Sequence, residues 1–343
     1  MAALADSTNA ADLTEKDLKR SLASDAKAMN NMEGKDRKGD VHVETMASAM
    51  EALIGMIPAE DFRFEYQSLH LGKGLCEGYT KDHVHRAFLL WSQKPSDREI
   101  DSFNVSKAFR RLTAFADYTT EMFDKYFTEP VDMDASDIVA ASRLMEILIL
   151  QETDSATGAV VWIMDLSAWD MRNYNDIESV GTSHRSIMRW LFALMLRGMW
   201  DDNTLVNGVI IIEAFGNVGM RGMLKTQGLF KPIEDDLNKM FYGVMPFKLK
   251  CCILVGAPWW LSALIAFMRL FISKKMSQRI KNLSDADVVR QMGGVSCLPI
   301  GFLGGTRPYE PRYPGFALRK SSGAGDTAAA EEEEQMESKD VLL

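Results

Sequence analysis

Three short apolar runs, separated from one another by enough chain for a helix, constrain this sequence most. They are Ala159-Val160-Val161-Trp162-Ile163-Met164, Val209-Ile210-Ile211-Ile212, and Leu249 through Cys251-Cys252-Ile253-Leu254-Val255. Short apolar runs rich in strand formers have the pattern of strands buried on both faces. Helices fit 176–198 and 232–242 between them. Apolar strands alternating with helices predict an α/β region built on a mainly parallel sheet.

The chain before these runs reads differently. From 60 to 150 the spacing is helical, and Val105 through Leu112 continue into Ala116, Tyr118, Met122 and Phe123. Pro130 closes that stretch, and Asp134-Ala135-Ser136-Asp137 supplies the start of a helix over 138–150. Residues 1–40 carry too few large apolar groups to offset the entropy of ordering. A short helix fits 41–57, with Val43, Met46, Met50, Leu53 and Ile54 on one side, and 320–343 is an acidic low-complexity tail. The predicted organisation is a largely disordered arm (1–59), a helical module (60–150), an α/β domain (151–315) and a disordered acidic tail (316–343).

Residues 257–273, APWWLSALIAFMRLFIS, are the most apolar stretch of helical character. Pro258 suits a first helical turn. Trp260, Leu264, Phe267 and Phe271 fall on one face, and Leu261, Ile265, Met268 and Ile272 on the next. A helix apolar nearly all round must bury both sides or offer one to an apolar partner, so a core helix and a lid are both compatible. A membrane span is the rival, since 251–268 reaches the lower length limit. Gly256 and Pro258 divide that run into a strand-like and a helical half, which argues against spanning.

Charge singles out the same region. The 343-residue chain has net charge −9, which argues against general nucleic-acid binding. Yet 244–281 holds no Asp or Glu and seven basic residues: Lys248, Lys250, Arg269, Lys274, Lys275, Arg279 and Lys281. A basic surface beside a very apolar helix suits an anionic bilayer, at about 1 kcal/mol per basic residue near the membrane. The helix macrodipole explains Lys274 and Lys275 but not Lys248 and Lys250.

Enzyme signatures are weak. Gly216, Gly219 and Gly222 follow a strand, but at GxxGxxG rather than dinucleotide-loop spacing. His83 and His85 lack a third ligand at metal-site spacing and read as surface histidines. Asp165 and Asp170 read as turn caps. Cys76, Cys251, Cys252 and Cys297 form no CxxC and suggest reduced thiols in a cytosolic setting. The N-terminus has no apolar h-region. No catalytic residue, metal site or cofactor is assigned, and the chain is not expected to be an enzyme.

The stretch 246–305 resembles the C-terminal half of a CRAL-TRIO lipid-binding domain. It shows in order Ile253 to Pro258, the apolar helix to Ile272, Lys275 with Arg279, Leu298-Pro299, and Gly304-Gly305. Ala168-Trp169-Asp170 resembles the family's Trp-Asp turn. Leu205 through Glu213 resembles its second strand, which usually ends in Asp, and Gly216 matches the glycine that follows. Phe88-Leu89-Leu90-Trp91 and Phe103 through Ala108 resemble the N-terminal signature segments, with 95–101 as an insertion. Pro299 and Gly304 lie one residue further apart than usual, and the acidic residue usual there is missing.

The resemblance, in the manner of tocopherol- and retinaldehyde-carrying members, implies a cup with a sheet floor, helical walls and a gate helix. By position, Met164, Ile187, Trp190, Leu194, Ile210, Ile212, Leu237, Phe241, Phe247, Leu249 and Cys252 would line the lipid pocket. Trp260, Leu261, Leu264, Ile265, Met268 and Ile272 would form the gate. Lys248, Lys250, Arg269, Lys275 and Arg279 would form an anionic-lipid patch. Val206 and Cys251 stand where phosphatidylinositol carriers use a glutamate and a lysine, so a neutral or weakly polar cargo is implied. The expected function is lipid binding and transfer by a cytoplasmic protein that docks peripherally on anionic membranes. A non-transporting lipid sensor, or a phosphoinositide-binding scaffold using the arm and tail, is the second reading.

Overall fold

The computed structural model describes residues 36–66, 80–94, 102–129, 131–144, 147–165, 177–215, 236, 239–258 and 273–313. Helices α1 (Met46–Met56), α2 (Lys81–Ser92) and α3 (Val105–Tyr126) pack on one another. Strands β1 (His42–Val43), β2 (Gln93–Lys94) and β3 (Ser102–Asn104) form a small antiparallel sheet in the order β1-β3-β2. Thr45 caps α1 by accepting from the Ser48 amide, and Ala49 and Leu53 are fully buried. Part of the predicted arm is thus a helix seated on the module, as its apolar side suggests.

Helix α4 (Ser136–Leu144) is followed by β4 (Ile147–Thr153). The predicted helix over 138–150 therefore stops early, and β4 straddles the predicted boundary at 150. Ile147, Leu148, Ile149 and Leu150 are all buried, and a strand paired with β5 places successive side chains in the cores of both sheet faces. Helical periodicity had no way to register that pairing.

The main sheet has the order β4-β5-β6-β7-β8, with β5 (Val160–Asp165), β6 (Val209–Ala214), β7 (Leu249–Val255) and β8 (Ile280–Leu283). Only the β4–β5 pair is antiparallel. The α/β fold with a mainly parallel sheet is therefore present. Helix α5 (His184–Gly198) connects β5 toward β6 and is capped by Ser183, whose hydroxyl accepts from the Ser186 amide. Helix α6 (Asp202–Val206) takes up Leu205 and Val206, so β6 begins at Val209 rather than at 205. A π-helical turn, Lys239–Val244, precedes β7. The single turn α7 (Lys274–Ser277) leads into β8, and α8 (Asp285–Gln291) follows it.

Two apolar cores sandwich the sheet. The inner core holds Trp162, Ile211, Cys252 and Leu254 with the residues of α5, the 239–244 turn and the helical module. The outer core holds Val161, Ile163, Ile210, Ile212, Cys251 and Ile253 under Val288, Leu298 and Phe302. Gly305 lies so close to the Leu298 and Pro299 carbonyls that a Cβ would meet them at 2.5 and 2.3 Å.

The module is fastened to the sheet at several points. Arg86 makes two 2.6 Å hydrogen bonds to the Asp202 carboxylate. Trp91 Nε1 donates to the Phe247 carbonyl at 3.2 Å, and Arg111 Nη1 to the Gly243 carbonyl at 2.7 Å. Lys107 and Arg111 stand 4.7 and 5.0 Å from the Trp91 ring centroid, within cation–π range.

Gly208 sets the entry to β6. Its φ is +82°, and a Cβ there would meet the Lys248 carbonyl at 2.3 Å. Gly208→Ala should therefore lose about 3 kcal/mol in urea unfolding, from a disfavoured backbone plus a displaced strand. A loss below about 0.5 kcal/mol would show that the β6–β7 approach relaxes freely.

Candidate functional site

Register divides the sheet's side chains into rows. On the inner face one row runs Ile149, Trp162, Ile211, Cys252 and Ile280; the next, toward the carboxyl ends of the parallel strands, runs Ile147, Met164, Glu213, Leu254 and Asn282. The outer face carries Leu148, Ile163, Ile212 and Ile253 in register. Ile163, Ile212 and Ile253 are completely buried. Leu148, Cys251 and Ala214, also on the outer face, keep 6%, 7% and 8% exposure. Met164 and Glu213 are half-buried, and Ile211 and Cys252 retain 9% and 8% exposure.

The predicted lining residues distribute unevenly over this frame. Ile187, Trp190 and Leu194 on α5, with Phe247 and Leu249, belong to the inner core but are packed almost shut. Phe247 meets Trp162 edge-on at 5.9 Å, and half-buried Phe241 meets the same ring at 6.4 Å. Met164 and Cys252 lie on the inner rows. Ile210 and Ile212 lie in the outer core, on the opposite side of the sheet from the rest. Strand alternation explains this: their neighbours Ile211 and Glu213 take the inner positions. Leu237 and the six gate candidates Trp260, Leu261, Leu264, Ile265, Met268 and Ile272 lie outside the described residues, as does Arg269.

Glu213 is the residue the sequence reading passed over as a site. Burial pushes its carboxyl above the usual carboxylate range. Cys252 Sγ, 3.8 Å away, donates to its Oε1, and the Cys252 thiol is itself pushed well up by burial. It is the one polar residue of an otherwise apolar strand, and that interruption was the available signal.

The basic candidates also separate. Lys250 and Lys275 are exposed. Lys248 turns inward, with Nζ 3.4 Å from the carbonyls of Gln93 and Val206. Burial, then the charges of Lys107 and Lys250, lowers its pKa to about 8. Arg279 is half-buried, and its carbonyl accepts from the Cys252 amide and the Cys251 thiol. Val206 sits in α6, and Cys251 faces the outer core.

His83 is exposed and closes the capping box of α2, its Nδ1 accepting from the Thr80 amide at 3.1 Å. His85 is buried, 3.2 Å from the Tyr66 hydroxyl, which departs from the expected surface placement. Asp170 and the 216–222 glycines lie outside the described residues. Among the described residues no group of three His, Cys, Asp or Glu is placed to hold a metal, and no helix is long and apolar enough to cross a membrane.

Helix α5, the 239–244 turn and the helical module cover one face of the mainly parallel sheet, and Val288, Leu298 and Phe302 cover the other. The CRAL/TRIO domain family model matches residues 145–305. The chain carries a CRAL/TRIO domain. That match begins two residues before β4, so the CRAL/TRIO domain takes in the whole five-stranded sheet. Comparison with curated proteins by sequence finds no match. CRAL/TRIO domains bind small lipophilic ligands, so the match over 145–305 implies lipophilic-ligand binding or transfer in general terms.

The inward turn of Lys248 has a thermodynamic signature. Its folded pKa lies below the unfolded value, so between about pH 8 and 10.5 the unfolded chain binds more protons and stability rises with pH. Lys248→Met should remove up to about 1 kcal/mol per pH unit of that rise, measured by urea unfolding at pH 8 and 10. Identical slopes in both proteins would place Lys248 in solvent.

Proposed function

We propose that the domain carries a neutral apolar lipid against the inner sheet face and exchanges it at anionic membranes. The observation that carries this reading is the CRAL/TRIO match over residues 145–305, which takes in the whole five-stranded sheet. On the inner face Met164 and Glu213 are half-buried among apolar neighbours.

The described crossovers lie on one side of the sheet. The strands follow one another across the sheet in order, and crossovers between parallel strands are right-handed. Helix α5 after β5 and the 239–244 turn before β7 both pack on the inner face. In this reading Trp260, Leu261, Leu264, Ile265, Met268 and Ile272 close over the ligand.

Cargo neutrality is supported by Val206 and Cys251, neither of which can serve a phosphoinositol headgroup. Docking is assigned to Lys250 and Lys275, with Arg269 and Arg279 beside them in sequence; Lys248 is committed to backbone carbonyls. Anionic lipid then acts as a docking cue for a peripheral, cytoplasmic carrier, and no catalytic residue is assigned.

Two measurements check this. Native mass spectrometry of the purified protein, followed by solvent extraction, should release a neutral lipid in near-stoichiometric amount. A protein that neither holds nor takes up lipid would favour the scaffold reading. Lys250→Glu with Lys275→Glu should weaken binding to vesicles containing phosphatidylserine at least tenfold, at about 1 kcal/mol per basic residue lost. Binding to neutral vesicles should be unchanged. Equal affinity of variant and wild type for anionic vesicles would remove these lysines from the docking surface.

A further inference from the structure

A concave polar site lies at the amino ends of the parallel strands, away from the carboxyl ends that carry Glu213 and Leu254. It is a cavity of about 450 Å³ lined by Gln151, Arg197, Trp200, Asp201, Arg312 and Tyr313. Gln151 stands on β4 two residues before Thr153, which pairs with Val160 at the start of β5. Trp200 and Asp201 form the corner between α5 and α6. Most of the polar groups here serve the fold. Arg312 bonds the Asp201 carboxylate through Nε and Nη2, and its Nη1 donates to the Gln151 carbonyl at 2.6 Å. Asp201 also accepts from the Asn203 amide at 3.0 Å, capping α6, and from the Thr204 hydroxyl at 3.2 Å. Arg312 and Asp201 therefore cancel in charge. Arg197 has no such partner: no described carboxylate pairs with it, and its guanidinium stands 4.6 Å from the Trp200 ring centroid, within cation–π range. The cavity thus carries one net positive charge, held on an aromatic platform beside the exposed Gln151.

We propose that this cavity docks an acidic peptide segment and that its occupant is the chain's own acidic tail, with the four glutamates at 331–334 seated on Arg197. Tyr313, the last described residue, is itself part of the lining, so the tail starts at the cavity wall. Residues 314–343 carry seven acidic residues against three basic ones, opposite in sign to the cavity. Residues 314–330 separate Tyr313 from the glutamate run. A chain of that length has a root-mean-square span of roughly 20 Å, which brings the run within reach. Tethering also raises the effective concentration to about the millimolar range, so a contact too weak to hold a free peptide is populated in cis. Guanidinium and carboxylate suit each other because their paired hydrogen bonds are charge-assisted and can be bidentate. The proposal stands independently of the lipid-carrier reading.

The test uses the full chain with a photo-crosslinking benzoylphenylalanine in place of Gln151, followed by peptide mass spectrometry. Intramolecular cross-links should fall within 326–340. Their yield should drop about fivefold or more in about 1 M sodium chloride, where the Debye length shrinks to about 3 Å. Arg197→Glu should lose as much, because like charges then face each other, whereas Arg197→Lys keeps the charge and should lose less. Replacing the glutamates at 331–334 by glutamine probes the same contact without altering the folded part, and should give the same loss. Cross-links confined to 314–325, or equal yields in wild type and both charge variants, overturn the docking. Cross-links that join two copies of the chain overturn the assignment of the tail as an occupant in cis.

Discussion

Hydrogen bonding among β5, β6 and β7 fixes which side chains share a row, and every functional statement about this chain depends on those rows. The parallel register places Trp162, Ile211 and Cys252 side by side on one face and Ile163, Ile212 and Ile253 on the other. A slip of one residue would exchange the faces and put Glu213 into the sealed core. Gly208 guards this register at the start of β6, where backbone meets backbone too closely for any side chain. Stability and specificity are thus set by the same ladder.

The helical module completes the cup from outside. Trp91 donates to the Phe247 carbonyl, while the Phe247 ring meets Trp162 on the sheet. A single residue therefore links the module's signature tryptophan to the sheet's inner face. Arg111, buried and bonded to the Gly243 carbonyl, ties the module to the turn that carries Phe241. Helix α1 and β1, ahead of the module in sequence, pack against it, β1 pairing with β3 between α2 and α3.

The three central strands were legible because buried parallel strands are written as unbroken apolar runs. The same property hid their facing. A run such as Val209-Ile210-Ile211-Ile212 has no alternation to show which residues point inward, so Ile210 and Ile212 were placed on the wrong side for a shared lining. Strand β4 was read as helix because its apolar residues continued a helical rhythm. Strand β8, with Lys281 and Asn282 exposed, carries too little apolar signal to stand out. Lys248 was grouped with surface lysines because sequence shows a charge but not the two carbonyls that draw it inward. His85 was hidden likewise, since its partner Tyr66 lies on a different element.

Which face of the sheet meets the ligand is the point on which the functional account turns. Photolabelling with a diazirine-bearing isoprenoid alcohol, with modified residues mapped by peptide mass spectrometry, addresses it directly. Labels on Met164, Ile211, Glu213 or Cys252 are expected, because the proposed site lies against these inner-row residues. Labels confined to Ile210, Ile212 or Ile253, or scattered over solvent-facing residues alone, would contradict an inner-face lipid site.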